Sequence, residues 1–198
     1  MTGGVPGAIQ DAVRASVDAH ADRTALVGGG EELSYARLGA RIDDASRLLR
    51  EQPRALPREG GRDRPLRIGF CLANSVDYVI WYFGALFAGD VPFLLDASFN
   101  VGEIEAIRGD CALDALILEP PKAVALGLPR AADAVPIGAG VVCLSLATDE
   151  PPKFMLRAST RACRFTSGTT GRPKCLEFSG DAVAAAARHW VTGTGMDA

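Results

Sequence analysis

One stretch has the density of a chemical motif: Thr166, Ser167, Gly168, Thr169, Thr170, Gly171, Arg172, Pro173 and Lys174, in unbroken order. Glycines let a backbone turn tightly and approach a ligand closely. Successive backbone N–H groups in such a loop converge on one concavity and make an anion site. The hydroxyls of Thr166, Ser167, Thr169 and Thr170 add neutral donors, and Lys174 adds a mobile cation at the far end, with Arg172 as a second. Pro173 stiffens the exit and removes a competing donor. The guest that suits this chemistry is a polyphosphate. The string is not a Walker A loop, which needs Gly-x-x-x-x-Gly-Lys-Ser/Thr; here Arg172 and Pro173 separate Gly171 from Lys174. Composition alone also allows a polar linker rich in Thr and Gly.

A loop of this kind needs rigid elements on both sides. Arg161 to Phe165 reads as a strand feeding it, and Cys175 to Phe178 as a short strand leaving it. Ser179 then caps a last helix from Gly180 to about Val191, ended by Gly193 and Gly195. Upstream, Ile9, Val13 and Val17 mark one face of an amphipathic helix ending near His20. Thr24 to Ser34 reads as a hairpin turning on Gly28 to Gly30. Ser34 caps a helix from Tyr35 whose buried face is Leu38, Ile42, Ala45 and Leu49. Gln52 to Pro65 is a loop. Strand-like runs follow at 66–72, 91–95, 113–118 and 141–146. Between them lie a helix capped by Ser75 and stopped by Gly89, and another with Asn100 and Glu103 as a capping box. Lys122 to Arg130 is ambiguous. This alternation predicts an α/β fold with a mainly parallel sheet layered with helices.

With 198 residues, 48% apolar and 23% charged, the chain can bury a substantial core. A formal net charge of -3 gives no basic footprint for nucleic acid. No apolar run has transmembrane length, and the N-terminus lacks a signal-peptide pattern. The five cysteines (Cys71, Cys111, Cys143, Cys163, Cys175) are scattered without C-x-x-C spacing and read as reduced thiols, mostly buried. The expected setting is cytoplasmic, without nucleic acid or membrane. Cys175 reads as a small buried strand residue, or else, beside Lys174, as a thiolate of lowered pKa. His20 reads as a helix-end residue. His189, flanked by Arg188 and Trp190, reads as a surface or subdomain contact. No cluster has metal-ligand spacing.

Taken as an ordered string, Thr166 to Lys174 resembles the phosphate-binding signature of the adenylate-forming (ANL) superfamily. That family comprises acyl-CoA synthetases, adenylation domains of nonribosomal peptide synthetases and luciferases. It usually has Gly after the lysine, where this chain has Cys175. Leu33-Ser34-Tyr35-Ala36-Arg37-Leu38 looks like the early Leu-Thr/Ser-Tyr-x-x-Leu signature. The segment from Leu86 through Ala88, Gly89 and Leu95 to Asp96 is similar to the Leu-x-Ala-Gly…Leu-Asp signature, with Leu94 where the family commonly has Pro. Both also read as plain structure: a capped helix, and a helix stop with a strand and a turn aspartate.

The resemblance runs from about Pro6 to Trp190. It implies ATP and Mg²⁺ as cofactors and a carboxylic or amino acid as substrate. It implies formation of acyl-AMP and pyrophosphate, then transfer to CoA or a carrier-protein thiol. Thr166, Ser167, Gly168, Thr169, Thr170, Gly171 and Lys174 would hold the phosphates. No catalytic residue is assigned. The family's later Tyr-Gly-x-Thr-Glu stretch, its ribose-binding aspartate and its small lysine-bearing C-terminal domain have no counterpart after Lys174. Residues 1–198 are therefore expected to be one domain, the N-terminal portion of an AMP-binding (adenylation) domain. Such a piece would be a fragment, or a split subunit completed by a second polypeptide. Self-association is expected of the faces left uncovered. The alternative is a non-catalytic truncated remnant that binds a synthetase or carrier protein. Charge-assisted phosphate contacts contribute about 1.5–3 kcal/mol each, so the chain alone should bind ATP with a Kd no tighter than about 1 mM. Calorimetric titration returning a micromolar Kd would contradict this.

Overall fold

Helical periodicity builds the first layer. The computed structural model describes residues 7–51, 64–127, 134–138, 140–146, 153, 155–166 and 173–195. Helix α1 (Ala8–Ala19) turns Ile9, Val13 and Val17 inward and ends at His20, the C-cap. Strands β1 (Thr24–Gly28) and β2 (Glu31–Ser34) form the expected antiparallel hairpin. Helix α2 (Tyr35–Glu51) follows, and the Ser34 hydroxyl accepts the Arg37 N–H at 3.3 Å. Its buried stripe contains Leu38, Ile42, Ala45 and Leu49. After β3 (Arg67–Cys71), helix α3 (Val76–Ala88) begins where Ser75 Oγ accepts the Tyr78 N–H at 3.1 Å. It ends on Gly89 at φ +85°, a conformation that glycine adopts without penalty. Helices α2 and α3 pack so closely that a Cβ on Gly84 would stand 2.7 Å from Ala45 Cβ.

The remaining elements are β4 (Val91–Leu94), α4 (Val101–Cys111), β5 (Ala115–Leu118), α5 (Pro120–Ala125), β6 (Val135–Gly138), β7 (Val141–Ser145), β8 (Thr160–Thr166), β9 (Lys174–Ser179) and α6 (Gly180–Thr194). The Asn100–Glu103 capping box is formed in both directions, at 2.9 and 3.0 Å. Ser179 Oγ accepts the Ala182 N–H at 3.2 Å at the start of α6. Gly193 lies inside that helix rather than ending it; Gly195, at φ +66°, is the terminator. Within the ambiguous 122–130 stretch, α5 starts earlier, with Pro120 in the first turn where its missing N–H costs nothing. Residues 128–130 lie outside the described ones, as does most of the expected loop at 52–65 and of the one at 149–153.

Among the described residues, seven strands form one sheet in the order β6-β7-β5-β3-β4-β8-β9. The four central strands, β5-β3-β4-β8, run parallel, and β7, β6 and β9 add antiparallel margins. Strand β6 is not among the strands expected from the sequence. Its Val-Pro-Ile-Gly composition suppresses a strand signal, and Pro136 is tolerated because β6 is an edge strand. One sheet face carries Ile68, Phe70 and Ile117 against α2 and α3. The other carries Phe93, Leu116 and Cys163 with Ile104 and Ile107 of α4. Among the described residues, no helix is long and apolar enough to cross a membrane.

Polar groups tie the frame at two places. Buried Asp114 accepts two bonds from the Arg64 guanidinium, at 2.8 and 2.9 Å, and one from the Arg67 backbone N–H at 2.8 Å. This fastens the start of β3 to the start of β5. At the base of the β8–β9 hairpin, Glu177 Oε2 accepts from Thr160 Oγ1 at 2.5 Å and from the Arg157 N–H at 3.1 Å. The Thr160 hydroxyl, then the Arg157 amide, hold this carboxyl below its ordinary value.

Two outcomes are expected. Gly84→Ala overpacks the α2–α3 contact and should cost about 1–3 kcal/mol of stability, measured by urea unfolding; an unchanged midpoint would mean the two helices separate freely. Glu177 is depressed in the folded state. Its contribution to stability is therefore complete above the ordinary carboxyl value of 4.5 and is lost as pH falls through the lower folded value. Glu177→Gln should flatten the decline of Tm between about pH 5 and pH 3; an identical acid profile would show that the clamp does not titrate.

Candidate functional site

Strand pairing fixes the ends of the Thr166–Lys174 loop. In the antiparallel β8–β9 ladder, Thr166 stands opposite Lys174, Phe165 opposite Cys175, Arg164 opposite Leu176 and Cys163 opposite Glu177. The loop is thus the tip of a hairpin, and its first hydroxyl and its lysine are cross-strand neighbours. Ser167, Gly168, Thr169, Thr170, Gly171 and Arg172 lie outside the described residues. Thr166 and Lys174 are both exposed. Strand alternation puts Arg164, Thr166, Lys174 and Leu176 on one face of the hairpin and Cys163, Phe165, Cys175 and Glu177 on the other.

The parallel β4–β8 pairing sets where this tip sits. Phe93 pairs with Cys163 and Leu94 with Arg164, so Thr166 extends past the carboxyl end of β4. Open α/β sheets bind ligands at this edge, outside the carboxyl ends of their parallel strands. Pro92 is accommodated inside the sheet because the Val91 and Leu95 N–H groups bond to β3, at Leu66 O and Phe70 O. The donor missing at Pro92 faces β8, where pairing begins only at Phe93.

A cavity of ≈ 470 Å³ opens at the same edge, lined by Asn74, Tyr78, Leu95, Asp96, Arg164 and Phe165 among others. Asp96 accepts from the Ser98 hydroxyl at 2.6 Å and the Ser98 N–H at 2.8 Å. These bonds, the hydroxyl first, lower its pKa, and it is a turn aspartate as its motif suggested. Burial pushes the Tyr78 phenol up, and the nearby Arg164 charge opposes this. Asn74, Tyr78 and Arg164 carried no motif in the sequence. For Arg164 a signal existed: it lies two residues before Thr166 on one strand and so shares its face.

The structure brings together residues that the sequence scattered. Cys71, Cys111, Cys143 and Cys163 are buried, whereas Cys175 is only half-buried, unlike the small buried residue expected there. The neighbouring thiols of Cys111 and Cys163 hold the Cys175 pKa below the ordinary thiol value, and their closeness to it, with burial, pushes theirs up. Trp190 is 69% exposed on α6, and Arg188 and His189 are exposed beside it. No group of three or more His, Cys, Asp or Glu among the described residues has the geometry to hold a metal ion.

The sequence matches the family described as AMP-binding enzyme over residues 13–197. It is 30% identical over 175 residues to cyclosporin synthetase simA of Tolypocladium inflatum, covering 84% of this chain and 1% of that protein. It is 27% identical over 135 residues to the long-chain-fatty-acid–CoA ligase FadD13 of Mycobacterium tuberculosis, covering 64% of this chain and 27% of the ligase. Among solved structures, the nonribosomal peptide synthetase FmoA3 in its AMPPNP-bound form superposes with a TM-score of 0.69 at 19% identity, over 96% of this chain and 19% of that one. The inhibitor-bound N-terminal domain of FACL13 from Mycobacterium tuberculosis superposes with a TM-score of 0.66 at 20% identity, over 91% of this chain and 46% of that one. These superpositions are likenesses of fold. The chain spans about a quarter or less of the length of the curated relatives it matches. With the family match extending over nearly every residue, the chain belongs to the AMP-binding enzyme family.

Proposed function

We propose that this chain is the N-terminal part of an ATP-dependent carboxylate-adenylating enzyme and that its hairpin tip holds the ATP phosphates. The observation carrying this reading is the Thr166–Lys174 cross-strand pair, placed beyond the carboxyl end of parallel β4. The pair sets a hydroxyl and an ammonium at the two ends of a loop rich in backbone donors.

In this reading the substrate carboxylate oxygen attacks the α-phosphorus of ATP, and the bond to the β-phosphate oxygen breaks. Pyrophosphate leaves and acyl-AMP remains. Negative charge grows on the leaving group in the transition state. The donors of Thr166, Ser167, Gly168, Thr169, Thr170 and Gly171 and the ammonium of Lys174 stabilise it there. Pairing in β9 fixes the backbone of Lys174 beside Thr166, and its side chain carries the ammonium to the phosphates. Mg²⁺ enters with ATP as part of the substrate and neutralises phosphate charge. Substrates are a carboxylic or amino acid, and a thiol of CoA or of a carrier protein takes the acyl group by attacking the acyl-AMP carbonyl and releasing AMP. The remainder of the domain comes either from the continuation of the same polypeptide or from a second one.

ATP–pyrophosphate exchange tests the reading. The chain is assayed alone and co-expressed with the product of the neighbouring reading frame, against a mixed pool of carboxylic and amino acids. Exchange is expected only with both polypeptides. Lys174→Ala should lower it about 10- to 150-fold, corresponding to the loss of one charge-assisted phosphate contact. No exchange in either sample leaves a bare fragment or a non-catalytic binding remnant, and an unchanged ATP affinity in Lys174→Ala then overturns the phosphate-holding role of the hairpin tip.

A further inference from the structure

Behind the lysine face of the β8–β9 hairpin lies a sulfur face that the adenylation chemistry does not use. Cys175 follows Lys174 directly and so points to the opposite side of β9. That side meets the end of α4. Cys111, the last residue of α4, and Cys175 line one cavity of ≈ 340 Å³, together with Ile107, Asp110, Lys153 and Phe165. Cys163 completes the trio from β8, on the same hairpin face as Cys175. The end of α4 is held in place, because the Arg67 guanidinium donates to the Cys111 carbonyl at 2.6 Å.

We propose that Cys175 is a peroxide-sensitive modification site that closes a reversible disulfide with Cys111, tying the exit of the Thr166–Lys174 loop to the end of α4.

Three observations carry this. Cys175 is the one half-buried thiol of the five, while the other four are buried. It opens on a cavity that admits a molecule as small as hydrogen peroxide. Cys111 and Cys163 lie beside the Cys175 sulfur, and their thiols favour its thiolate form. Burial and the Glu177 carboxylate on the same hairpin face oppose the thiolate, Arg67 adds positive potential that favours it, and Lys153 is engaged by Asp110.

The strand register selects the partner. Cys163 stands opposite Glu177 and Cys175 opposite Phe165, so these two cysteines are diagonal neighbours. Diagonal pairs lie about 7–8 Å apart, beyond the ordinary Cα separation of a disulfide. Cys111 sits at the end of α4, outside the strand ladder, and lines the same cavity as Cys175. In the first step the Cys175 thiolate attacks one peroxide oxygen. The O–O bond breaks, and hydroxide leaves and is protonated to water. In the second step the Cys111 sulfur attacks the resulting sulfenic acid. The S–O bond breaks, and the Cys111 proton leaves with the oxygen as a second water. Two thiols and one peroxide thus give one disulfide and two waters, and a small thiol reductant reverses the change.

Peptide mapping of the whole chain tests this, and it needs neither nucleotide nor adenylating activity, so it fails or succeeds independently of the proposed function. The folded protein is exposed to hydrogen peroxide, remaining thiols are alkylated, and linked peptides are identified by mass spectrometry. A Cys111–Cys175 linkage that dithiothreitol reverses is expected, with Cys71 and Cys143 still reduced. In Cys111→Ser the oxidised Cys175 should persist as a dimedone-trapped sulfenic acid. In the unmodified protein at about pH 5.5, iodoacetamide should alkylate Cys175 at least about tenfold faster than Cys71 or Cys143. A Cys163–Cys175 linkage, oxidation of Cys71 or Cys143 as fast as Cys175, or no reaction at a peroxide dose that oxidises free cysteine each overturns the proposal. The linkage experiment uses the unsubstituted chain, so its outcome does not depend on a variant that folds poorly.

Discussion

The pairing of β4 with β8 is the constraint on which the rest of the site depends. Between these strands in the chain lie α4, β5, α5 and the β6–β7 hairpin, so the pairing of Phe93 and Leu94 with Cys163 and Arg164 closes a long loop. Such a non-local contact offsets its closure entropy only when the intervening layers are packed. Once made, it fixes the position of Thr166 beyond the end of β4. The short β8–β9 ladder then returns the chain so that Lys174 stands opposite Thr166. A loop whose two ends are held by paired strands has those ends fixed on folding, so less conformational freedom is left to lose when a ligand binds.

The hairpin divides its chemistry between its two faces. Arg164, Thr166 and Lys174 share one, and Cys163, Cys175 and Glu177 share the other. This division follows from the period of a strand, which sends neighbouring side chains to opposite sides. It lets Lys174 and Cys175 be adjacent in sequence and separate in environment. One meets solvent at the open end of the sheet, and the other meets the end of α4 and two further thiols.

The two ends of the parallel strands are also used differently. At their starts, buried Asp114 is matched by the Arg64 guanidinium and the Arg67 N–H, an arrangement that neutralises itself. Asp114 is buried while Arg64 reaches solvent, so loss of Arg64 would leave a buried carboxylate with less compensation. Groups so fully engaged serve the frame. At the carboxyl ends, Arg164, Thr166 and Lys174 stay open to a cavity or to solvent. The difference separates residues that hold the sheet together from residues with capacity left for a ligand.

Much of the architecture was legible in the sequence because its signals are local. Ser34, Ser75, Asn100, Glu103 and Ser179 cap helices through groups within a few residues of themselves. Gly89 stops α3 by a conformation that its own lack of a side chain permits. The ordered string from Thr166 to Lys174, matched by the family's extent over residues 13–197, identified the kind of protein without coordinates. Strand order, by contrast, is set by non-local packing. Nothing in 141–146 announces that β7 runs antiparallel to β5, and a proline and a glycine hid β6 altogether. The meeting of Cys111, Cys163 and Cys175 required a helix end and two strands to converge, and no spacing along the chain encodes that. The sequence by itself determined which groups are present and which short elements carry them. Only the tertiary structure decided which groups face one another, because side-chain neighbourhood depends on sheet order and register.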